Sequence, residues 1–270
     1  MAISILRSAD WDIFLAMALQ EGWRVPEQEL ELFRGPLASG AFALREKGEA
    51  LGFVTVVAYE KHGWIGNLIV HPACRGLGYG NGLFDYAVAE LTNRGMETIW
   101  LTASAMGKPL YEKKGFRKVD EVVRRERRPE RSVPLCGESG RKETLLAADA
   151  RMWGERRYKL IEPLIEEGQV LAAGDAIALL QKKSTPQIIG PWFSPNFCSR
   201  ENRRILASIL GAAGEGCELV SDVLASSPVN SLLAAAGFSE QGRCDLMSRG
   251  PMQGVELESL VALASLGSMG

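Results

Sequence analysis

Residues 64–82, WIGNLIVHPACRGLGYGNG, constrain the fold more than any other stretch of this chain. An apolar run over 65–70 ends at His71-Pro72. Arg75, Gly76, Gly78 and Gly80 follow, and then an amphipathic segment over 83–94 closed by Gly95. That order predicts a buried strand, a tight glycine turn and a helix N-terminus. A helix N-terminus carries unpaired N–H groups and the positive end of the helix dipole, and so favours phosphate. Glycine lets backbone approach such a ligand closely and take positive φ. From the residues alone, the stretch is either a phosphate-binding loop or an unoccupied strand-to-helix turn.

Spacing decides which loop it resembles. The dinucleotide pattern G-x-G-x-x-G fails because Asn81 stands at the third glycine. The strand predicted at 98–102 runs into Ala-Ser-Ala, without the acidic residue that would read a ribose. No Gly-Lys-Ser/Thr ending supports a P-loop. The run Arg75-Gly76-Leu77-Gly78-Tyr79-Gly80 fits R/Q-x-x-G-x-G/A. It resembles the acyl-CoA pyrophosphate loop of the GNAT superfamily of N-acetyltransferases. Downstream, 108–116 (KPLYEKKGF) resembles that superfamily's LY-x-K-x-GF segment.

The resemblance implies acetyl-CoA as co-substrate, its pyrophosphate held by Arg75, Gly76, Leu77, Gly78, Tyr79, Gly80 and Asn81. It implies that main chain at Leu68, Ile69 and Val70 lines the pantetheine arm where the fourth strand splays from the fifth. It implies Tyr111 as the general acid that protonates the departing thiolate. A phenol of pKa about 10 does this to a thiolate of about 8.5 only with help from its surroundings. The strand before the loop holds no carboxylate, so no general base is assigned. Glu60, His62 and His71 lie nearby in sequence, with His71 reading as a surface or capping residue, and water relayed to solvent is a further route. The Asn that many relatives place before the LY segment is missing from 102–107. Cys74 sits beside the pyrophosphate loop, which argues for direct attack without a covalent enzyme intermediate.

The first half alternates in type. Strands are predicted at 3–6, 41–45, 51–59, 64–70, 98–102 and 116–125. Helices are predicted at 10–21, with Ser8 as N-cap, and at 27–34, 83–94 and 107–114. Polar, glycine-containing connections at 46–49 and 60–63 read as hairpins. The expected fold is α/β (α+β): a mixed, mostly antiparallel sheet flanked by helices. Residues 128–142 have linker composition, and the arginines at 124, 125, 127, 128 and 131 read as a solvated strand end with interleaved glutamates.

Beyond the linker the pattern repeats weakly. A helix is predicted at 144–166 and strands at 168–173, 175–181 and 188–193. The last runs into Ser194-Pro195 as 68–70 runs into His71-Pro72. With Pro195 set on Pro72, Arg203 falls on Gly80, and NSLLAAAGF over 230–238 falls on 108–116. The expected domains are therefore 1–127, with the cofactor loop, and 143–270, a degenerate copy. That copy has Cys-Ser-Arg-Glu-Asn-Arg over 198–203 in place of the loop, and Leu233 in place of Tyr111. The layout, IIGPWFSP and AAAGF resemble bacterial two-domain proteins whose C-terminal half is a divergent, YitH-type acetyltransferase domain.

Composition bounds the rest. A chain of 270 residues with net charge -2 gives no electrostatic case for nucleic acid or an anionic membrane. Five cysteines without C-x-x-C spacing and two histidines support neither a metal site nor a disulfide framework, which points to the cytoplasm. The expected activity is acetyl transfer to a primary amine, the acceptor being a small molecule or a peptide. The alternative is an acyl-CoA-binding sensor without turnover. The second half would supply the acceptor pocket or a homodimer surface.

Overall fold

The computed structural model describes residues 2–128 and 138–270. The first half runs β1 (Ala2–Ile5), α1 (Asp10–Gln20), α2 (Glu27–Arg34), β2 (Ala41–Glu46), β3 (Glu49–Ala58), β4 (His62–Val70), α3 (Tyr79–Asn93), β5 (Thr98–Ala103), α4 (Lys108–Lys113) and β6 (Arg117–Arg127). The second runs β7 (Glu138–Ser139), α5 (Lys142–Trp153), α6 (Tyr158–Glu166), β8 (Gly168–Ala173), β9 (Ala176–Gln181), β10 (Gln187–Phe193), α7 (Ser199–Ala212), β11 (Leu219–Leu224), α8 (Val229–Ala235), β12 (Ser239–Arg249) and β13 (Leu260–Ala262). The class is the mixed α/β one expected, with a large, mostly antiparallel sheet flanked by helices.

All the strands among the described residues join one sheet, in the order β1-β2-β3-β4-β5-β12-β6-β11-β13-β10-β9-β8-β7. The last strand of each half lies inside the other. β12 sits between β5 and β6, and β6 sits between β12 and β11. Both halves share the order strand, strand, strand, helix, strand, helix, strand, in β2 to β6 and in β8 to β12. Of the linker expected at 128–142, residues 129–137 lie outside the described residues, as does Arg131.

Two parallel pairs matter for the site. β4 and β5 pair only from His62↔Thr98 to Trp64↔Trp100 and then part. β10 and β11 pair only at Gln187↔Leu219 and Ile188↔Val220, and β13 then enters antiparallel to both. The second split is filled by a strand of its own half; the first is not.

Three local expectations change. Ser8 is not the cap of α1: Ala9 precedes the helix in helical geometry, and Asp10 reaches back to accept from the Arg7 N–H at 2.6 Å. The helix expected at 144–166 is two helices, broken at Gly154 with φ +67. The break turns Glu155 toward β4, where it accepts from the N–H groups of Lys61 (2.6 Å) and His62 (3.1 Å). The arginines of β6 are not a solvated end. Arg124 chelates Asp222 of β11, Arg125 donates to Asn230 and Arg127 to the Ala236 carbonyl. Strand exchange puts β6 at mid-sheet, so its polar side chains meet the other half.

Where β4 and β5 do pair, a tryptophan cluster locks the halves together. Trp153 from α5 packs edge-on to Trp64 and Trp100, with ring centroids 6.2 and 5.4 Å away. Arg157 stacks on Trp153 at 4.4 Å while paired with Asp149 at 2.5 Å. Such buried aromatic contact holds the closed end of the split rigid.

Candidate functional site

The site grows from the parting of β4 and β5. Past Trp64, β4 bulges against β3, where Phe53↔Ile69 is followed by Thr55↔Gly66, and Asn67 takes φ +52. The bulge turns β4 away from β5. A cavity of about 190 Å³ fills the opening, lined by Gly66, Asn67 and Leu68 of β4, Thr102 of β5, Tyr111 of α4 and Glu29 of α2. Segment 266–270 lies across the same opening. The Gly267 carbonyl accepts from the Trp64 indole and the Thr102 hydroxyl, each at 3.1 Å, so it ties the two parting strands. Gly66 must lack a side chain because a Cβ there would lie 2.5 Å from the Ser268 carbonyl oxygen.

At the far end of β4 the glycine loop has the expected geometry. A short 3-10 turn (Pro72–Cys74) leads to Arg75, whose Nε donates to the Val70 carbonyl at 3.1 Å and whose Nη2 bonds Glu21 at 2.6 Å. Gly76 and Gly78 have φ +78 and +84, and a side chain at either would meet no atom within 4 Å. Gly78 caps α3 without a side-chain bond, and Tyr79 and Gly80 open the helix. Leu77 and Asn81 are exposed. The loop is open, donor-rich and free of covering side chains, which fits the pyrophosphate of a CoA thioester. His71 is exposed and its Nδ1 accepts from the Ala73 N–H at 3.3 Å, the capping role expected.

Of the other expected residues, Leu68 lines the cavity. Ile69 and Val70 pair with Phe53 and Gly52 of β3, and the Ile69 side chain is buried. Tyr111 is both core and cavity wall. Its ring packs on Phe84 at 4.8 Å and is backed by Gly107, where a Cβ would approach the ring to 2.9 Å. Burial pushes the phenol up to about 12. The shift keeps the hydroxyl protonated at neutral pH. It also opposes full proton donation, except that a CoA sulfur in the same pocket would be raised by the same desolvation.

The sequence reading missed Glu29. It is 5% exposed and faces the cavity. Burial pushes its carboxyl up to about 7, opposed by the Ser268 hydroxyl, by Asn67 Nδ2 at 3.5 Å and by the charge of Arg124. A signal was present. Glu29, Leu32 and Phe33 stand at i, i+3 and i+4 and all are buried, so the carboxylate lies on the apolar stripe of α2. The nearby alternatives are engaged elsewhere. His62 is buried against Glu155, and Glu60 accepts from the Arg156 N–H. Among the described residues no cluster of His, Cys, Asp and Glu suits a metal.

Residues 5–116 match the Acetyltransferase (GNAT) family. This stretch resembles a GNAT acetyltransferase domain. It ends at Phe116 and takes in the loop, the split and Tyr111. Over 79 residues the chain is 30% identical to the [Ribosomal protein bS18]-alanine N-acetyltransferase of Haemophilus influenzae, covering 28% of this chain and 54% of that protein. The chain thus spans about half the length of that curated relative. Among solved structures, a putative acetyltransferase from Pyrococcus horikoshii superposes with a TM-score of 0.82 at 20% identity, over 100% of this chain and 95% of that one. A GCN5-related N-acetyltransferase from Sphaerobacter thermophilus gives 0.67 at 17%, over 92% and 95%. These likenesses concern the fold, and they extend through the second half and its exchanged strands.

Proposed function

We propose that this protein transfers the acetyl group of acetyl-CoA to a primary amine by direct attack, and that the split between β4 and β5 is where transfer occurs. One observation carries the reading: the split brings an unpaired stretch of β4, the Tyr111 phenol and the buried Glu29 carboxylate to a single cavity. Acetyl-CoA supplies the activated acyl group. The chain's own residues do the rest. The loop from Arg75 to Asn81 holds the pyrophosphate, and main chain at Leu68, Ile69 and Val70 orients the pantetheine arm. A carboxylate titrating near 7 is matched to taking a proton from an amine at neutral pH, and Glu29 has that role, directly or through one water. The neutral amine nitrogen bonds to the thioester carbon, the carbon–sulfur bond breaks, the Tyr111 hydroxyl gives a proton to sulfur, and the proton that nitrogen loses passes through Glu29 and solvent to restore the Tyr111 hydroxyl.

The second half reads as a divergent copy that has lost the cofactor site, as in tandem acetyltransferase proteins of bacteria. Two features support this. β13 occupies the second split, and the Glu201 carboxylate lies where a side chain on Gly174 would meet it at 2.1 Å, so the turn before α7 is filled by protein. A cytoplasmic location fits the four described cysteines, all free.

Release of CoA thiol across a panel of primary amines tests the activity. Acetyl-CoA-dependent release with some amine is expected. Tight acetyl-CoA binding with no release on any amine would establish the sensor instead.

A further inference from the structure

The transfer cavity does not end at Tyr111. It opens at Arg24, Thr102, Arg124, Cys244 and Leu266 into a second cavity of about 370 Å³. Three of those five neck residues come from the first half and its exchanged β6, and two from the second half. Glu126, Asp222 and Gln241 stand around the outer cavity. A ligand reaching the acetyl group along this route therefore touches both halves.

The neck offers donors. Arg124 gives Nε and Nη2 to the two oxygens of Asp222 at 2.8 Å each, and Nη2 also to the Leu266 carbonyl at 3.1 Å. Its Nη1 has no protein partner among the described residues. Asp222 is buried, so both of its oxygens are spent on orienting the guanidinium. Arg24 is held in the same way, by Glu218 at 2.7 Å and Glu126 at 3.3 Å, with its Nε unengaged among the described residues. The Thr102 hydroxyl is committed to Gly267. Two fixed guanidinium groups with spare N–H groups suit an anionic oxygen, because planar N–H donors match a carboxylate and a charge-assisted bond is the stronger kind. Glu29 lies at the inner end, near enough for the charge of Arg124 to reach it.

Resting on the acetyltransferase reading of the same site, we propose that the acceptor is a small amino carboxylate: its amine points to Glu29 and its carboxylate, a few bonds away, sits on Arg124 with Arg24 beside it. Asp222 of the second half is then a positioning residue, and the second half sets acceptor specificity. The separation of roles follows from donors and acceptors. The arginines' positive charge is offset by Asp222, Glu218 and Glu126, but their spare N–H groups only donate and the Glu29 carboxylate only accepts, so a zwitterion is read in one orientation.

The test uses the full chain and matched acceptors: an amino acid, the amine left by its decarboxylation, and the same amino acid as the first residue of a blocked peptide. With CoA thiol release as readout, kcat/KM for the free acid should exceed that for the decarboxylated amine by about ten- to a hundredfold, the range expected for a lost hydrogen bond to a charged group. Arg124→Gln and the milder Arg124→Lys should shrink that ratio toward one. A structural lesion would lower both acceptors together and leave the ratio intact. Equal kcat/KM for acid and amine, an unchanged ratio in the Arg124 variants, or preference for the peptide would each overturn the proposal. If no amine is turned over, the acetyltransferase reading fails separately. Calorimetric titration of the amino acid into CoA-loaded protein then decides the acceptor site, with Arg124-dependent binding upholding it and no binding overturning it.

Discussion

A carboxylate buried on an apolar stripe is expensive, and Glu29 shows how much of this site is a matter of single residues. The step from an ordinary 4.5 to about 7 corresponds to about 3 kcal/mol of stability forgone when the group is ionised. The folded chain holds the proton between those two values while the unfolded chain does not, so stability falls as pH rises from about 4.5 to about 7 and is level above. Glu29→Gln should therefore melt higher than the parent at pH 8 and equally at pH 4.5; identical melting curves at both would remove the buried charge as a cost. The same variant should lose the ascending limb of the rate profile near pH 7, with turnover down about a hundredfold at pH 8. Tyr111→Phe tests the other proton: turnover should drop about a hundredfold or more while acetyl-CoA affinity stays within a fewfold, since the hydroxyl acts on the leaving group. Gly107 has ordinary helical φ of −79, so Gly107→Ala strains no backbone; it presses on the Tyr111 ring instead. Its turnover should fall with the phenol still present, and a crystal structure of the variant with an unmoved ring would refute that account. Tyr111 was legible because its motif is local. Glu29 was hidden because a glutamate in EQELELFR reads as solvated unless its register on the stripe is followed.

At the scale of elements, what could be read from the chain is what neighbouring residues dictate. Apolar runs gave the strands flanking the loop to within a few residues, while Gly78 with φ +84 starts α3 at Tyr79, four residues ahead of the helix expected over 83–94. What could not be read depends on distant partners. Gly154 looks like a tolerable glycine in a long helix, yet the helix ends there with φ +67, and Glu155 accepts from the N–H groups of Lys61 and His62 at the start of β4, more than ninety positions earlier in the chain. The parting of β4 and β5 was implied only by family resemblance, since alternation cannot say where two parallel strands stop pairing. The loop itself gives a clean expectation. A Cβ at Gly78 meets no atom within 4 Å, so the effect of Gly78→Val is chiefly conformational: a β-branched residue at positive φ costs roughly 1–3 kcal/mol and distorts the first turn of α3. The KM for acetyl-CoA should rise about tenfold or more by the same arithmetic, with acceptor KM little changed; initial rates against each substrate measure it. An unchanged acetyl-CoA KM would take the pyrophosphate out of this loop.

For the whole molecule, the weak internal repeat was visible in the sequence but its consequence was not. Two copies in tandem suggest beads joined by a linker, and the linker composition encourages that picture. Instead β6 pairs along its length with both β11 and β12, so each half closes its sheet with the other's last strand. The segment after β12 adds a second tie, first filling the split between β10 and β11 as β13 and then bridging Trp64 and Thr102 through Gly267. A first half cut free would expose both edges of β6, the edge of β5 from Ile99 to Ala103 that β12 covers, and the faces of Trp64 and Trp100 left by Trp153. Long unpaired edges and apolar patches of that kind drive aggregation. We therefore expect residues 1–140 expressed alone to be insoluble or to lack a cooperative melt, and the same fragment co-expressed with 141–270 to yield a soluble complex with acetyl-CoA binding restored. Gel filtration and thermal melting of both preparations decide it. A soluble, cooperatively folded fragment 1–140 would mean that the exchanged strands are dispensable, and with them the dependence of the cleft on its second half.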